Sequence, residues 1–129
     1  MFIGLERRGL TLSALADGNS YQEPVALAAI TASELLIGVY RANTAQRLLR
    51  REAFVEAILE AVPVLPIDLM VARVHAEIWS QLLDEGHSIG AHDMLIAATA
   101  VAHGYAVLTD NVREFRRVPG LEVRQPDWQ

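Results

Sequence analysis

The sequence predicts an α/β domain of three layers, α/β/α, around a central and mainly parallel sheet. Three observations carry that prediction. Short apolar runs suited to strands buried on both faces recur along the chain, and longer stretches of helical period separate them. The chain has 129 residues, 52% apolar and 21% charged, which suits one domain with a buried core. No repeat, low-complexity tract or linker suggests a second domain, so residues 1–129 read as one unit.

Val25-Ala26-Leu27-Ala28-Ala29-Ile30 reads as a strand. Residues 31–42 read as a helix, with Thr31 or Ser33 as its cap and Glu34 in its first turn. A second helix spans about 44–61, with Leu48, Leu49, Phe54, Ile58 and Leu59 on its apolar side. Residues 62–67 are extended, because Pro63 and Pro66 each push the preceding residue toward β conformations. Asp68 caps a helix over 69–85, in which Val71, Val74, Ile78 and Leu82 recur at helical spacing and Gly86 supplies the stop. Residues 91–103 form another helix, closed by Gly104. A strand over 105–109 ends in the turn residues Asp110-Asn111, and residues 121–124 form a last edge strand. Trp79 is assigned to the core with the leucine-rich helices.

Composition removes whole classes of function. Without cysteine there is no disulfide framework, Cys-zinc site or thiol catalysis. Every basic residue is an arginine, so Schiff-base and P-loop lysines are excluded, and so is the lysine a receiver-type phospho-acceptor needs. The net charge of −5 argues against a generic nucleic-acid coat, though not against an enzyme with a local arginine patch. No apolar run reaches membrane-spanning length, and the charge order of the first residues reverses that of a secretory signal. The expected location is the cytoplasm, with no membrane partner.

Three acids share a topological position. Glu34 follows the strand ending at Ile30, Asp93 lies in the first turn of a helix, and Asp110 follows the strand ending at Thr109. Taken singly, each has a structural explanation as a dipole-compensating or turn residue. Together they fall where a parallel sheet gathers its ligand site, beyond the carboxyl ends of its strands. A cluster of hard oxygen donors without Cys or paired His suits Mg²⁺ or Mn²⁺. Such ions can activate water and stabilise the leaving oxygen of a phosphodiester.

The stretches Thr31-Ala32-Ser33-Glu34-Leu35-Leu36-Ile37-Gly38-Val39, Ile89-Gly90-Ala91-His92-Asp93-Met94-Leu95-Ile96-Ala97-Ala98 and Val107-Leu108-Thr109-Asp110-Asn111-Val112-Arg113-Glu114-Phe115 carry a resemblance. In order and separation they resemble the second, third and closing motifs of PIN-domain nucleases, especially the VapC toxins of bacterial toxin–antitoxin pairs. The resemblance implies a PIN-like fold and a metal-dependent endoribonuclease. It implies a VapB-type antitoxin as partner and an RNA substrate, tRNA or rRNA. Glu34, Asp93 and Asp110 are then the expected metal ligands, and Asn111, aligned on the usual fourth acidic position, joins them as a catalytic candidate. Thr109, Arg113, Arg116 and His92 are expected to contact substrate. For Arg50 and Arg51 a solvated helix face with ion pairs is at least as good a reading. A homodimer or an antitoxin groove is expected to cover exposed apolar surface.

The opening departs from the family. PIN domains end their first strand in an Asp, whereas Met1-Phe2-Ile3-Gly4-Leu5-Glu6 resembles the residues just after that motif. The first strand and its Asp are therefore expected to be missing, through a start placed too late or a truncated gene, and Glu6 is not promoted to a substitute. An impaired PIN scaffold that dimerises and binds an antitoxin without efficient cleavage is the alternative reading.

Overall fold

The computed structural model describes residues 2–4 and 25–125. Glu6 lies outside them. Five strands form one sheet in the order β3-β2-β1-β4-β5, with β1 Phe2–Gly4, β2 Val25–Ala28, β3 Val64–Leu65, β4 Ala106–Leu108 and β5 Val123–Arg124. Every pairing is parallel, with Gly4 opposite Leu108, Ile3 opposite Ala26 and Ala28 opposite Leu65. The order reverses at β1, so the crevice beyond the ends of β1 and β4 is the switch point where such sheets bind ligands.

The described helices are α1 Ala29–Tyr40, α2 Ala45–Ala61, α3 Leu69–Asp84, α4 Ala91–His103 and the single turn α5 Val112–Phe115. Successive residues of β2 divide them into layers, because strand side chains alternate between faces. Leu27 packs with Ile58 and Val62 of the α2 side, while Ala28 joins Ile78, Leu82, Met94, Ile96, Val107 and Phe115 of the α3–α4 side. The predicted three-layer architecture is the one observed.

Local chemistry accounts for most boundaries. Thr44 caps α2, its hydroxyl accepting from Arg47 N–H at 3.1 Å, and Asp68 caps α3, accepting from Val71 N–H at 3.0 Å. Gly104 closes α4 with φ +73°, in the left-handed region where a Cβ is penalised. The predicted stripe Val71, Val74, Ile78 and Leu82 faces the core.

Four expectations need correction. The first strand is present: Phe2–Gly4 fills the slot between β2 and β4, whose facing edges would otherwise be left unpaired in the interior. It carries no acid. The strand from Val25 stops at Ala28, and α1 begins at once, with Ala28 as an N-cap that makes no side-chain bond in place of Thr31 or Ser33. The early helical start lets Ile30 pack against the α3–α4 core. Trp79 is 42% exposed, because it lies one residue off the buried stripe, and its ring stacks on His75 with centroids 5.8 Å apart. Leu49 is exposed as well: nine residues from Ile58 is half a turn out of phase at 100° per residue.

Candidate functional site: an acidic rim beyond β2 and β4

At the end of β4 the chain is fastened to the start of α4. Thr109 is buried; its N–H donates to the Arg124 carbonyl at 3.0 Å, and its hydroxyl accepts from Asn111 N–H at 2.9 Å. Asn111 Nδ2 donates to Glu114 Oε2 at 2.7 Å, and Gly90 N–H donates to Glu114 Oε1 at 2.9 Å. Arg117 Nη1 adds a bond to the Ser88 carbonyl at 3.1 Å. Beneath them Phe115, fully buried, packs in one core with Ile89, Met94 and Val118.

Asp93 stands in the first turn of α4 and is only 4% exposed. The helix N-terminus favours a carboxylate there, since the first N–H groups and the dipole present positive potential. Gly90 is packed beside it: a Cβ on Gly90 would lie 3.9 Å from Asp93 Oδ2.

Glu34 enters from the other side. Because α1 starts at Ala29, it sits in the second turn of that helix and not in the first as expected, with its Oε1 3.8 Å from Nδ1 of His92, the neighbour of Asp93. Both side chains are open to solvent, 37% and 51%, so the contact positions more than it stabilises. Thr31, three residues before Glu34, is buried with its hydroxyl unpartnered among the described residues. Glu34 also stands at a groove of about 430 Å³ between α1 and α2, floored by Leu35, Val39, Phe54 and Val55. Arg50 and Arg51 line the same groove, and Arg51 Nη1 donates to the Gly38 carbonyl at 2.8 Å.

The structure thus brings Glu34, His92 and the start of α4 together, and it ties Thr109 and Asn111 to that start through Glu114. Asp110 is exposed at the tip of the turn, and beside it Asn111 bonds to Thr109 and Glu114. Arg113 and Arg116 are exposed on and just after α5. Glu114 was not among the sequence candidates. Its signal was its place three residues after Asn111, within reach of that side chain once α5 forms one turn.

The donors present fit a hard divalent cation in kind, being oxygens of Asp93, Glu34 and Asn111. Among the described residues no group of three or more His, Asp or Glu could hold a metal ion together. Two carboxylates still match Mg²⁺, which keeps several waters and is commonly held by one or two carboxylates and a substrate phosphate.

The model of the PIN domain family matches residues 5–121, a span that includes Glu34, Asp93, Asp110 and Asn111. Ribonuclease VapC1 of Rickettsia felis is 42% identical over 106 residues, covering 82% of this chain and 75% of that protein. Ribonuclease VapC of Rickettsia bellii is 36% identical over 124 residues, 95% of this chain and 89% of that one. A chain in the crystal structure of DNA-bound VapBC from Salmonella typhimurium superimposes with a TM-score of 0.79 at 25% identity, covering 99% of this chain and 98% of its own.

Proposed function

We propose that this chain, which belongs to the PIN-domain family, is a metal-dependent endoribonuclease of the VapC kind, a cytoplasmic toxin restrained by a VapB-like antitoxin. The observation that carries the reading is the approach of Glu34 to His92 at 3.8 Å, beside the buried Asp93. It sets two carboxylates from separate motifs at one rim of the sheet, in a chain similar to proteins named as ribonucleases.

In this reading Asp93 and Glu34 hold Mg²⁺ or Mn²⁺, with Asn111 as a neutral oxygen donor at the edge. A divalent cation bound there supplies water activation and charge stabilisation at the phosphodiester. The chain's own contribution is positional. Asp93 is held on the first turn of a helix whose start is anchored, so its carboxylate needs little reorganisation on binding. His92, Arg113 and Arg116 are the exposed donors for substrate, and the arginine forks suit phosphate oxygens, whereas the expected contact of Thr109 is set aside because that side chain is buried. No helix of the described residues is long and apolar enough to cross a membrane.

The test is RNA cleavage by the full chain across a Mg²⁺ series, with and without a chelator. Cleavage that rises with Mg²⁺ and stops with chelation is expected. The same test decides on the second reading, the impaired scaffold. Capture of a VapB-like antitoxin without cleavage at any Mg²⁺ concentration would select that scaffold.

A further inference from the structure

We infer that Glu114 is a positioning residue that sets the orientation of the Asn111 side-chain amide and couples it to the start of α4. Its carboxylate receives two donors from different parts of the chain, Asn111 Nδ2 at 2.7 Å and the Gly90 N–H at 2.9 Å, the latter 24 residues away in sequence. An ionised carboxylate only accepts hydrogen bonds, so the end of the amide facing it must be the NH₂. Oδ1, the acceptor end, is thereby turned away from Glu114 and available to a cation or to a donor on substrate. Without Glu114 the amide could rotate and present its NH₂ instead, which would repel a cation.

The second bond makes the arrangement more than local. Gly90 is the N-cap of α4, three residues before Asp93, so one carboxylate references both Asn111 and the helix carrying Asp93. Arg117 donating to Ser88, together with Phe115 packed with Ile89 and Met94, holds α5 and its Glu114 against the same segment. Charge-assisted bonds of this length are the stronger kind. Groups that orient ligands in this way commonly change metal affinity or activity by about 10–100-fold when removed.

The catalytic consequence rests on the ribonuclease reading, whereas the coupling of Glu114 to Asn111 does not. The test therefore has two readouts on the full chain: the side-chain amide resonances of Asn111 in ¹⁵N-labelled, metal-free protein, and RNA cleavage with Mg²⁺. Glu114→Ala, Glu114→Gln, Asn111→Ala and the double variant Glu114→Ala/Asn111→Ala are compared, with melts to confirm folding. Glu114→Ala is expected to move the Asn111 amide resonances toward solvent-exposed values and to lower cleavage about 10–100-fold. Glu114→Gln, which keeps one acceptor oxygen, is expected to fall between it and the parent chain. The double variant should cleave no worse than the poorer single one, since the two residues act through one oxygen donor. Unchanged amide resonances in both Glu114 variants would overturn the proposal. So would a double variant whose loss is the product of the single losses, the result for a Glu114 that meets metal or substrate directly. Should Glu114→Ala fail to fold, Glu114→Gln carries both comparisons. If the parent chain cleaves no RNA, the ribonuclease reading fails, and the amide resonances alone decide the coupling.

Discussion

On the β4 side of the rim, Asn111, Glu114, Gly90, Ser88 and Arg117 are joined by hydrogen bonds of 2.7–3.1 Å over a fully buried Phe115. On the α1 side, Glu34 meets His92 at 3.8 Å with both side chains open to water. The two halves of one site are thus built to different tolerances. The β4 half is bonded within itself, and the α1 half rests on one solvent-open contact. Preorganisation reduces the cost of binding on the first side. On the second, any ligand that Glu34 takes up must order an open side chain, at a cost in side-chain entropy. The difference teaches which residue should be sensitive to packing and which to metal concentration.

The largest effect is expected from breaking the fixed half. Phe115→Ala removes the ring under the corner and leaves a cavity among Ile89, Met94 and Val118. It should cost about 3–5 kcal/mol of stability, read by denaturant unfolding. A loss below about 1 kcal/mol would show that the corner does not depend on its core.

Next comes the adjustable half. Glu34→Gln keeps the volume and removes the charge, and cleavage should fall on the order of 100-fold, as expected for losing several kcal/mol of metal-borne charge stabilisation. Because Glu34 is half open, its melting temperature should hardly move, and raising Mg²⁺ should restore part of the activity. No recovery at high Mg²⁺ would place Glu34 outside the metal's shell. The smallest effect belongs to His92→Ala. An exposed contact of 3.8 Å contributes little, so stability should stay within about 0.5 kcal/mol, with any change confined to substrate binding.

How far the sequence foretold this molecule depends on whether the governing interaction was local. Asp68 and Thr44 cap their helices as read, because a cap bonds three residues ahead in the same segment. The strand runs of β2 and β4 and the stripe through Ile78 were legible from periodicity. Trp79 and Leu49 were misplaced because hydrophobicity names a residue's preference without its angular position on the helix. β1 was missed because three residues beside two partner strands gain their stability from pairing, which no window of sequence displays. At the site, Glu34 and Asp93 stood out by motif. The approach of Glu34 to His92 and the hold of Glu114 on Gly90 span 58 and 24 residues respectively, and only the fold shows them.

The central claim is that metal-dependent RNA cleavage is carried at the rim through Asp93, and the most direct measurement is cleavage by Asp93→Asn beside Asp68→Asn over one Mg²⁺ series. Both acids stand at helix starts: Asp68 caps α3, where asparagine serves about as well, and Asp93 lies inside the first turn of α4, where asparagine keeps the volume and an acceptor oxygen, so both variants should fold. The account predicts a loss on the order of 100-fold or more at Asp93, with thermal melts unchanged, and activity within about twofold of the parent at Asp68. Equal losses in the two variants, or a loss at Asp93 matched by a collapsed melting transition, would contradict it and return Asp93 to a structural role.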